Sequence, residues 1–167
     1  MPLLRKGCLM LVGETPRDTS GRSLDDVLAL AGTSRGYVSL TNVFDERPTN
    51  NNLDNWGILP KEAHKLLRNA IADGESPEFC QPIFGTTLVV HPSKTIPALK
   101  RLKTELIKGN PSCIVALGHT ALRALCGVTG IGKARGALHF CSLWPSMPPI
   151  KVIPTYHPAI LLRAFEN

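Results

Sequence analysis

The chain has 167 residues, of which 43% are hydrophobic and 19% are charged, a composition typical of one soluble globular domain, which we expect to span residues 1–167. Its N-terminal segment has only a short apolar core, and no apolar run approaches the roughly 20 residues of a membrane-spanning helix, so we expect neither a signal peptide nor a membrane anchor. The net charge of +6 is compatible with a polyanionic partner and equally with an ordinary solvated surface.

Four short apolar runs predict strands that are covered on both faces, because each run is continuous rather than alternating. These predicted strands are Cys8–Val12, Tyr37–Val43, Cys113–Leu117 and Lys151–Pro154. Helical spacing of apolar residues predicts helices between them, at Ser23–Ala31, Lys61–Ala72, Thr95–Lys108 and His119–Cys126. Strands that alternate with helices indicate an α/β fold, a three-layer αβα sandwich with a central four-stranded parallel sheet.

The remaining segments carry weaker patterns. Ser23 is a plausible N-cap for the first helix. The polar, asparagine-rich stretch 48–56 predicts a loop, and the sequence TTLVV at 86–90 suggests one further short strand.

Polar or turn-forming residues follow each of the four predicted strands. They are GETP at 13–16, TNVFDERP at 41–48, Gly118–His119, and TYHP at 155–158. Because ligands bind beyond the carboxyl ends of the strands in open parallel sheets, these segments predict one binding site at that edge.

Five segments in this order resemble the uracil-DNA glycosylase superfamily: GETP, LTNVFDERP, IVALGHTAL, GKARG and VIPTYHPAILLR. Order and spacing agree over most of the chain outside residues 50–92. The most similar branch is the bacterial and phage group with a GE-P first motif and a TYHP-x-x-LLR last motif. The resemblance implies hydrolysis of the N-glycosidic bond of a flipped-out nucleotide, which leaves an abasic site.

His157 and Glu14 are the candidate catalytic residues. Cleavage leaves negative charge on the base, largely on O2 of a pyrimidine, and a hydrogen bond from His157 to that oxygen would stabilise it. The resemblance implies that Glu14 orients the attacking water or stabilises the sugar cation. The alternatives are a capping or core histidine and a solvated or capping glutamate.

Asn42 is the candidate for recognition of the base. Its amide carries a donor and an acceptor and can pair with the edge of uracil, which cytosine does not match. A turn-forming asparagine is the alternative. Gly13 and Thr15 of the GETP motif are further candidates for the base pocket, together with Arg17, which follows the motif.

Residues of the last motifs are candidates for DNA contacts. The resemblance places Leu161 where an apolar wedge enters the duplex, although helix core explains the same residue equally well. Basic or polar candidates for phosphate contact are Arg163, Arg135, Lys133 and His119, of which Arg135 lies in a segment that matches the family; ordinary solvated surface is the alternative for the basic residues. Three cations of the third helix fit phosphate contact or ordinary solvated surface: Lys100, Arg101 and Lys103.

The chain departs from the superfamily pattern in two ways that bear on function. No aromatic residue follows Pro16 where the related enzymes stack a phenylalanine on the base; Arg17 could stack there or contact a phosphate. A reduced wall suggests that thymine or a 5-modified pyrimidine is accepted as well as uracil. The five cysteines lack the iron–sulfur pattern and any CxxC pair, so we expect no cofactor or metal and a reducing compartment.

We therefore expect a monofunctional glycosylase, because no lysine in the matched motifs is placed as a Schiff-base nucleophile. The expected partner is single- or double-stranded DNA and not a membrane, for a monomer in the cytoplasm of a bacterial cell or phage-infected host. Two alternatives stay open, a DNA-binding protein without catalysis on the same fold and a hydrolase of small nucleosides.

Overall fold

A computed structural model describes residues 7–16, 20–141, 144–145 and 147–160, with the backbone alone at 20–23. Within these ranges the strands are β1 (Leu9–Gly13), β2 (Ser39–Asn42), β3 (Gly57–Ile58), β4 (Val89–Val90), β5 (Cys113–Leu117), β6 (His139–Cys141) and β7 (Ile150–Thr155). The helices are α1 (Ser20–Leu30), α2 (Pro60–Ala72), α3 (Pro92–Gly109), α4 (His119–Cys126) and α5 (Ile131–Ala134). Short 3-10 turns occupy Arg35–Tyr37, Thr49–Asn51, Leu53–Trp56 and Pro77–Phe79.

The main sheet has the strand order β2-β1-β5-β7-β6. The four predicted strands are all present and pair in parallel, with β1 and β5 at the centre. The prediction of a four-stranded sheet was nevertheless wrong, because β6 adds a fifth strand, antiparallel to β7. This strand was missed since its three residues, HFC, form too short a run to stand out from the surrounding loop.

Helices pack on both faces of the sheet. Leu99 and Leu102 of α3 and Leu122 of α4 join Met10 and Ile114 in the larger core cluster. Leu28 of α1 belongs to the smaller cluster on the opposite face, with Leu11, Val38 and Leu117. Near β6, the outermost strand, the side chains of Phe140 and Ile153 are 47% and 41% exposed. A sandwich in which helices cover the whole of both sheet faces therefore stays a prediction.

Helix boundaries differ from the predicted ones where a cap or a proline extends the element. Helix α3 begins at Pro92 rather than Thr95, because proline is tolerated in the first turn and the ring of His91 caps it. Helix α1 begins at Ser20, so Ser23 lies inside the helix and is not its N-cap. Helix α4 has the predicted bounds.

Strands β3 and β4 form a second, two-stranded antiparallel sheet. The suggested strand within TTLVV is thus present as β4. Trp56, at the end of the asparagine-rich region, packs against Phe44, which follows β2. The Asp54 carboxylate accepts hydrogen bonds from the backbone N–H groups of Thr86, Thr87 and Leu88, which organises the turn before β4. In the described part of the chain no helix combines the length and apolar character that a membrane crossing requires.

Candidate active site

The carboxyl ends of β1, β2, β5 and β7 lie along one edge of the sheet. Their parallel register aligns Gly13 with Asn42 and Leu117 with Thr155, so the segments that follow all emerge on the same side. Sheet topology therefore brings together the strand-end segments that the sequence predicted to form one site.

Asn42 lies against Gly13 at this edge. A Cβ atom added to Gly13 would be 2.5 Å from Oδ1 of Asn42, so a larger residue at position 13 would displace the amide. Pairing of the two segments continues past the strands, because Val43 N–H donates to the Gly13 carbonyl and Phe44 N–H donates to the Glu14 carbonyl, both at 2.9 Å. The contact shown for Gly13 is thus with Asn42, and direct contact of Gly13 with a base stays a prediction.

The Glu14 carboxylate is held by helix α4. The Thr120 hydroxyl donates a hydrogen bond of 2.5 Å to Oε2 of Glu14, across 106 residues of sequence. Thr120 is buried and lies in the first turn of α4, where the helix dipole favours a negative charge. Sequence reasoning missed Thr120, although its place directly after the Gly118–His119 strand exit was an available signal.

His157 follows β7 and is half-buried. Its Nδ1 accepts a hydrogen bond of 3.1 Å from the Ala159 backbone N–H, which places the proton of a neutral ring on Nε2. The ring therefore caps the turn that begins at Pro158, and its Nε2–H is a donor.

Gly118 lets the ends of β5 and β7 approach each other. Its φ of +90° lies in a region that favours glycine, and an added Cβ would be 3.4 Å from Cβ of His157. Its N–H donates to the Thr155 carbonyl at 2.8 Å. Gly118 thus links the His157 turn to α4, whose Thr120 holds Glu14.

Hydrogen bonds and close packing of neighbouring segments therefore link the four strand ends that carry the three polar candidates. A model of the "Uracil DNA glycosylase superfamily" matches residues 8–167, nearly the whole chain. The chain belongs to the uracil-DNA glycosylase superfamily. A search of the curated proteins found no match. Membership indicates a glycosylase-type hydrolase that acts on DNA.

Thr15 of this superfamily member contacts the asparagine-rich loop. It is only 3% exposed, and its hydroxyl donates a hydrogen bond of 3.0 Å to Oδ1 of Asn51. Asn50 and Asn51 both adopt left-handed backbone conformations, with φ of 54° and 52°. The sequence interpretation treated these asparagines as turn formers alone and so missed the contact of Asn51 with the GETP turn.

The GKARG loop of the superfamily member lies beside the His157 turn. The Arg135 guanidinium lies over the Tyr156 ring, 4.9 Å from its centroid, and Gly136 N–H donates to the Pro154 carbonyl at 3.2 Å. Arg135 and Lys133 are exposed, as is His119 at the first position of α4. These three residues thus surround the candidate site, and their contact with DNA stays a prediction.

Three basic residues of α3 have acidic partners within the protein. Lys100 pairs with Glu75 and Lys103 with Glu78, both at 2.7 Å. Arg101 pairs with Glu105 at 2.6 Å and also contacts the backbone of β2. Their charges are thus engaged within the protein, and contact of these three residues with phosphates stays a prediction.

Three further candidates, Arg17, Leu161 and Arg163, lie outside the described residues, and their roles stay predictions.

The five cysteines are free thiols. Burial raises the pKa of Cys126 to about 11 and also raises the pKa of Cys80. In the described ranges no three His, Cys, Asp or Glu side chains are grouped so that they would hold a metal ion.

Proposed function

We propose that this protein is a monofunctional DNA glycosylase that hydrolyses the N-glycosidic bond of a flipped-out uracil or 5-substituted pyrimidine and leaves an abasic site. The observation that carries the proposal is that packing and hydrogen bonds link the segments of Glu14, Asn42 and His157 at one edge of the sheet. Asn42 lies against Gly13, the residue before Glu14; Thr120 donates to Glu14; and Gly118, two residues before Thr120, lies against His157.

His157 acts as the donor to the departing base. When the bond between N1 and the sugar breaks, the bonding electrons move to the base and collect on O2. The Nδ1 atom is already occupied by the Ala159 N–H, so the ring offers Nε2–H to that oxygen without becoming charged. A donor fixed before the reaction lowers the barrier because no reorganisation is needed as charge develops.

Asn42 recognises the base edge. Its side-chain amide donates to O4 of uracil and accepts from the neighbouring N3–H, and cytosine reverses both positions, with a donor at N4 and an acceptor at N3. The contact with Gly13 limits the positions that this amide can take.

Glu14 acts on the sugar side of the bond. The Thr120 hydroxyl occupies one carboxylate oxygen, and the remaining acceptor capacity orients the attacking water and stabilises the sugar cation. The water adds to C1′ as the base leaves as an anion, the proton of the water passes to solvent, and the base takes up a proton from solvent, so hydrolysis needs no covalent enzyme intermediate.

The choice of base depends on the wall after GETP. Residues 17–24 contain no aromatic side chain, and a smaller wall near C5 leaves room for a methyl or larger substituent. This supports acceptance of thymine or 5-hydroxymethyluracil beside uracil, with Arg17 in the place of the missing stacking residue.

DNA binds, in this proposal, across the same edge of the sheet. The net charge of +6 favours a polyanion, and Arg135, Lys133 and His119 would contact phosphates together with Arg163. Leu161 would fill the gap left by the flipped nucleotide. We propose further that the protein acts as a monomer in the cytoplasm of a bacterial cell or phage-infected host.

One observation favours a second function. The missing aromatic side chain after Pro16 would weaken a base pocket, which fits a DNA-binding protein that flips or grips DNA without catalysis. Retention of Glu14, Asn42 and His157 favours the enzyme.

The test uses oligonucleotides with a single uracil, thymine, 5-hydroxymethyluracil or cytosine, in single- and double-stranded form, followed by alkaline cleavage. We expect base release from uracil or a 5-substituted pyrimidine, none from cytosine, and loss of release in Asn42→Ala and His157→Ala. If no base is released while wild type and both variants bind DNA equally, the binding protein is the correct reading. Release of uracil alone would contradict the wider substrate range.

A further inference from the structure

Helix α3 contacts three consecutive residues at the end of β2, the strand that ends in Asn42. Nη2 of Arg101 donates to the backbone carbonyl of Asn42 at 2.6 Å and to that of Val43 at 2.9 Å. Glu105, one turn further along the helix, accepts a hydrogen bond from the hydroxyl of Thr41. These contacts link one helix face to the candidate base-recognition residue.

Arg101 and Glu105 also bind each other. Nη1 of Arg101 lies 2.6 Å from Oε1 of Glu105, while the other carboxylate oxygen of Glu105 is bound to Thr41. The Arg101 and Glu105 side chains are 26% and 12% exposed, so solvent screens the pair only in part. Each member holds the other in the orientation that reaches β2.

The backbone around Asn42 is consequently held from two directions. The N–H of Val43 donates to the Gly13 carbonyl, while the carbonyls of Asn42 and Val43 accept from Arg101. A backbone fixed on both sides determines the direction of the Cα–Cβ bond of Asn42, and with it the reach of the amide.

We propose that Arg101 and Glu105 are positioning residues that orient the Asn42 amide for base recognition. This inference rests on the proposed function, since it assigns the pair a task in the recognition step. Neither residue touches the base; both act through the backbone of β2.

The chain offers a matched control for this pair. Glu78 accepts from Lys103 of the same helix at 2.7 Å, and the two side chains are 17% and 15% exposed. Glu105→Gln and Glu78→Gln therefore each remove one partly buried carboxylate that is paired with α3, and only the first disturbs contacts to β2.

The first measurement is single-turnover base release with thermal unfolding of each variant. We expect Arg101→Gln and Glu105→Gln to lose about 10- to 100-fold in maximal rate, with unchanged half-saturation by DNA, because a small misplacement of a recognition group is costly. Glu78→Gln should keep the wild-type rate at a similar loss of unfolding temperature. Equal rates in Glu105→Gln and Glu78→Gln would overturn the inference.

The second measurement is independent of catalysis. The side-chain amide of Asn42, assigned by its loss in Asn42→Ala, is followed by nitrogen-15 relaxation. We expect a rigid amide in wild type and Glu78→Gln, and a mobile one in Arg101→Gln and Glu105→Gln. If Arg101→Gln fails to fold, Thr41→Val and Glu105→Gln carry the same comparison.

The two measurements separate the two proposals. If the wild type releases no base but the Asn42 amide becomes mobile in Glu105→Gln, the proposed function is refuted and the positioning role is retained. An active wild type whose Asn42 amide and rate are unaffected by Glu105→Gln would refute the positioning role alone.

Discussion

Two His–Pro turns in this protein share one local structure. In each, Nδ1 of the histidine accepts a hydrogen bond of 3.1 Å from the backbone N–H two residues later, Ser93 after His91 and Ala159 after His157. In each, the histidine carbonyl accepts at 2.9 Å from the backbone N–H three residues later. Proline cannot donate at the first helical position, so the motif caps a helical turn in both places.

The surroundings of the two rings differ. His91 follows β4 of the small sheet, and its Nδ1 also lies 2.8 Å from the Ser93 hydroxyl at the start of the 18-residue helix α3. His157 follows β7 at the edge where β1, β2 and β5 also end, against Gly118. Capping and catalysis are therefore compatible, because the cap engages Nδ1 and leaves the ring proton on Nε2.

The largest difference between the two turns is expected when each histidine is replaced by alanine. We expect His157→Ala to lower base release by about 10²- to 10³-fold, because one preorganised donor to the departing base is lost. His91→Ala should lower the free energy of unfolding by about 0.5–2 kcal/mol through loss of a cap, with an unchanged rate. Single-turnover kinetics measure the rate of base release, and urea unfolding measures the stability of each variant. Equal rate losses in the two variants would indicate that His157 acts only as a helix cap.

The second prediction concerns two threonines in the first turns of α4 and α3. Thr120→Val removes the hydrogen bond to Glu14, and we expect about a tenfold lower maximal rate with unchanged half-saturation by DNA, because hydrogen bonds to charged groups contribute about 1.5–3 kcal/mol.

Its matched control is Thr95→Val, since Thr95 is similarly buried and its hydroxyl hydrogen-bonds to the backbone carbonyls of Val90 and His91, both at 3.5 Å, and to no carboxylate in the described part of the chain. We expect no change in rate for this variant, and recovery of the rate in Thr120→Ser. A slow Thr120→Ser enzyme would argue that packing, and not the hydroxyl, is what Glu14 requires.

The third prediction compares two glycines that both have a positive φ. Gly118 has φ of +90° and lies against His157, while Gly74 has φ of +102° with open space where a Cβ would be. Alanine should cost each variant about 1–3 kcal/mol of unfolding free energy, because a residue with a side chain is strained at a positive φ. Only Gly118→Ala should also lower the rate, because its methyl group would lie in van der Waals contact with His157, 3.4 Å from Cβ, and would restrict how that turn packs. Equal rates in both variants would contradict this effect.

The smallest expected effect concerns two cations that lie over aromatic rings near the two turns. Arg135 lies over Tyr156 at 4.9 Å, and Lys94 lies over Trp56 at 5.0 Å with Glu46 as its ion-pair partner. Arg135→Ala should lower the slope of log affinity against log salt by about 0.7 on single-stranded DNA, and Lys94→Ala should leave it unchanged. Identical slopes in fluorescence anisotropy titrations would exclude Arg135 from phosphate contact.

Local pattern was sufficient for much of the fold. Continuous apolar runs predicted β1, β2, β5 and β7, and helical spacing predicted α4 with its observed bounds, because burial on both faces and amphipathic periodicity act within a few residues. The three-residue strand β6 and the start of α3 at Pro92 were not predicted, since the first depends on pairing with β7 and the second on a histidine cap.

The candidate site likewise has a part that the sequence predicted and a part that depends on tertiary contacts. Its polar residues Glu14, Asn42 and His157 follow predicted strands, and their motifs placed the chain in its superfamily from sequence alone. Their supporting contacts join residues 106, 59 and 36 positions apart: Thr120 with Glu14, Arg101 with Asn42, and Thr15 with Asn51. No local pattern encodes such pairs, and only the packing of α3, α4 and the asparagine-rich loop onto the sheet edge decided them.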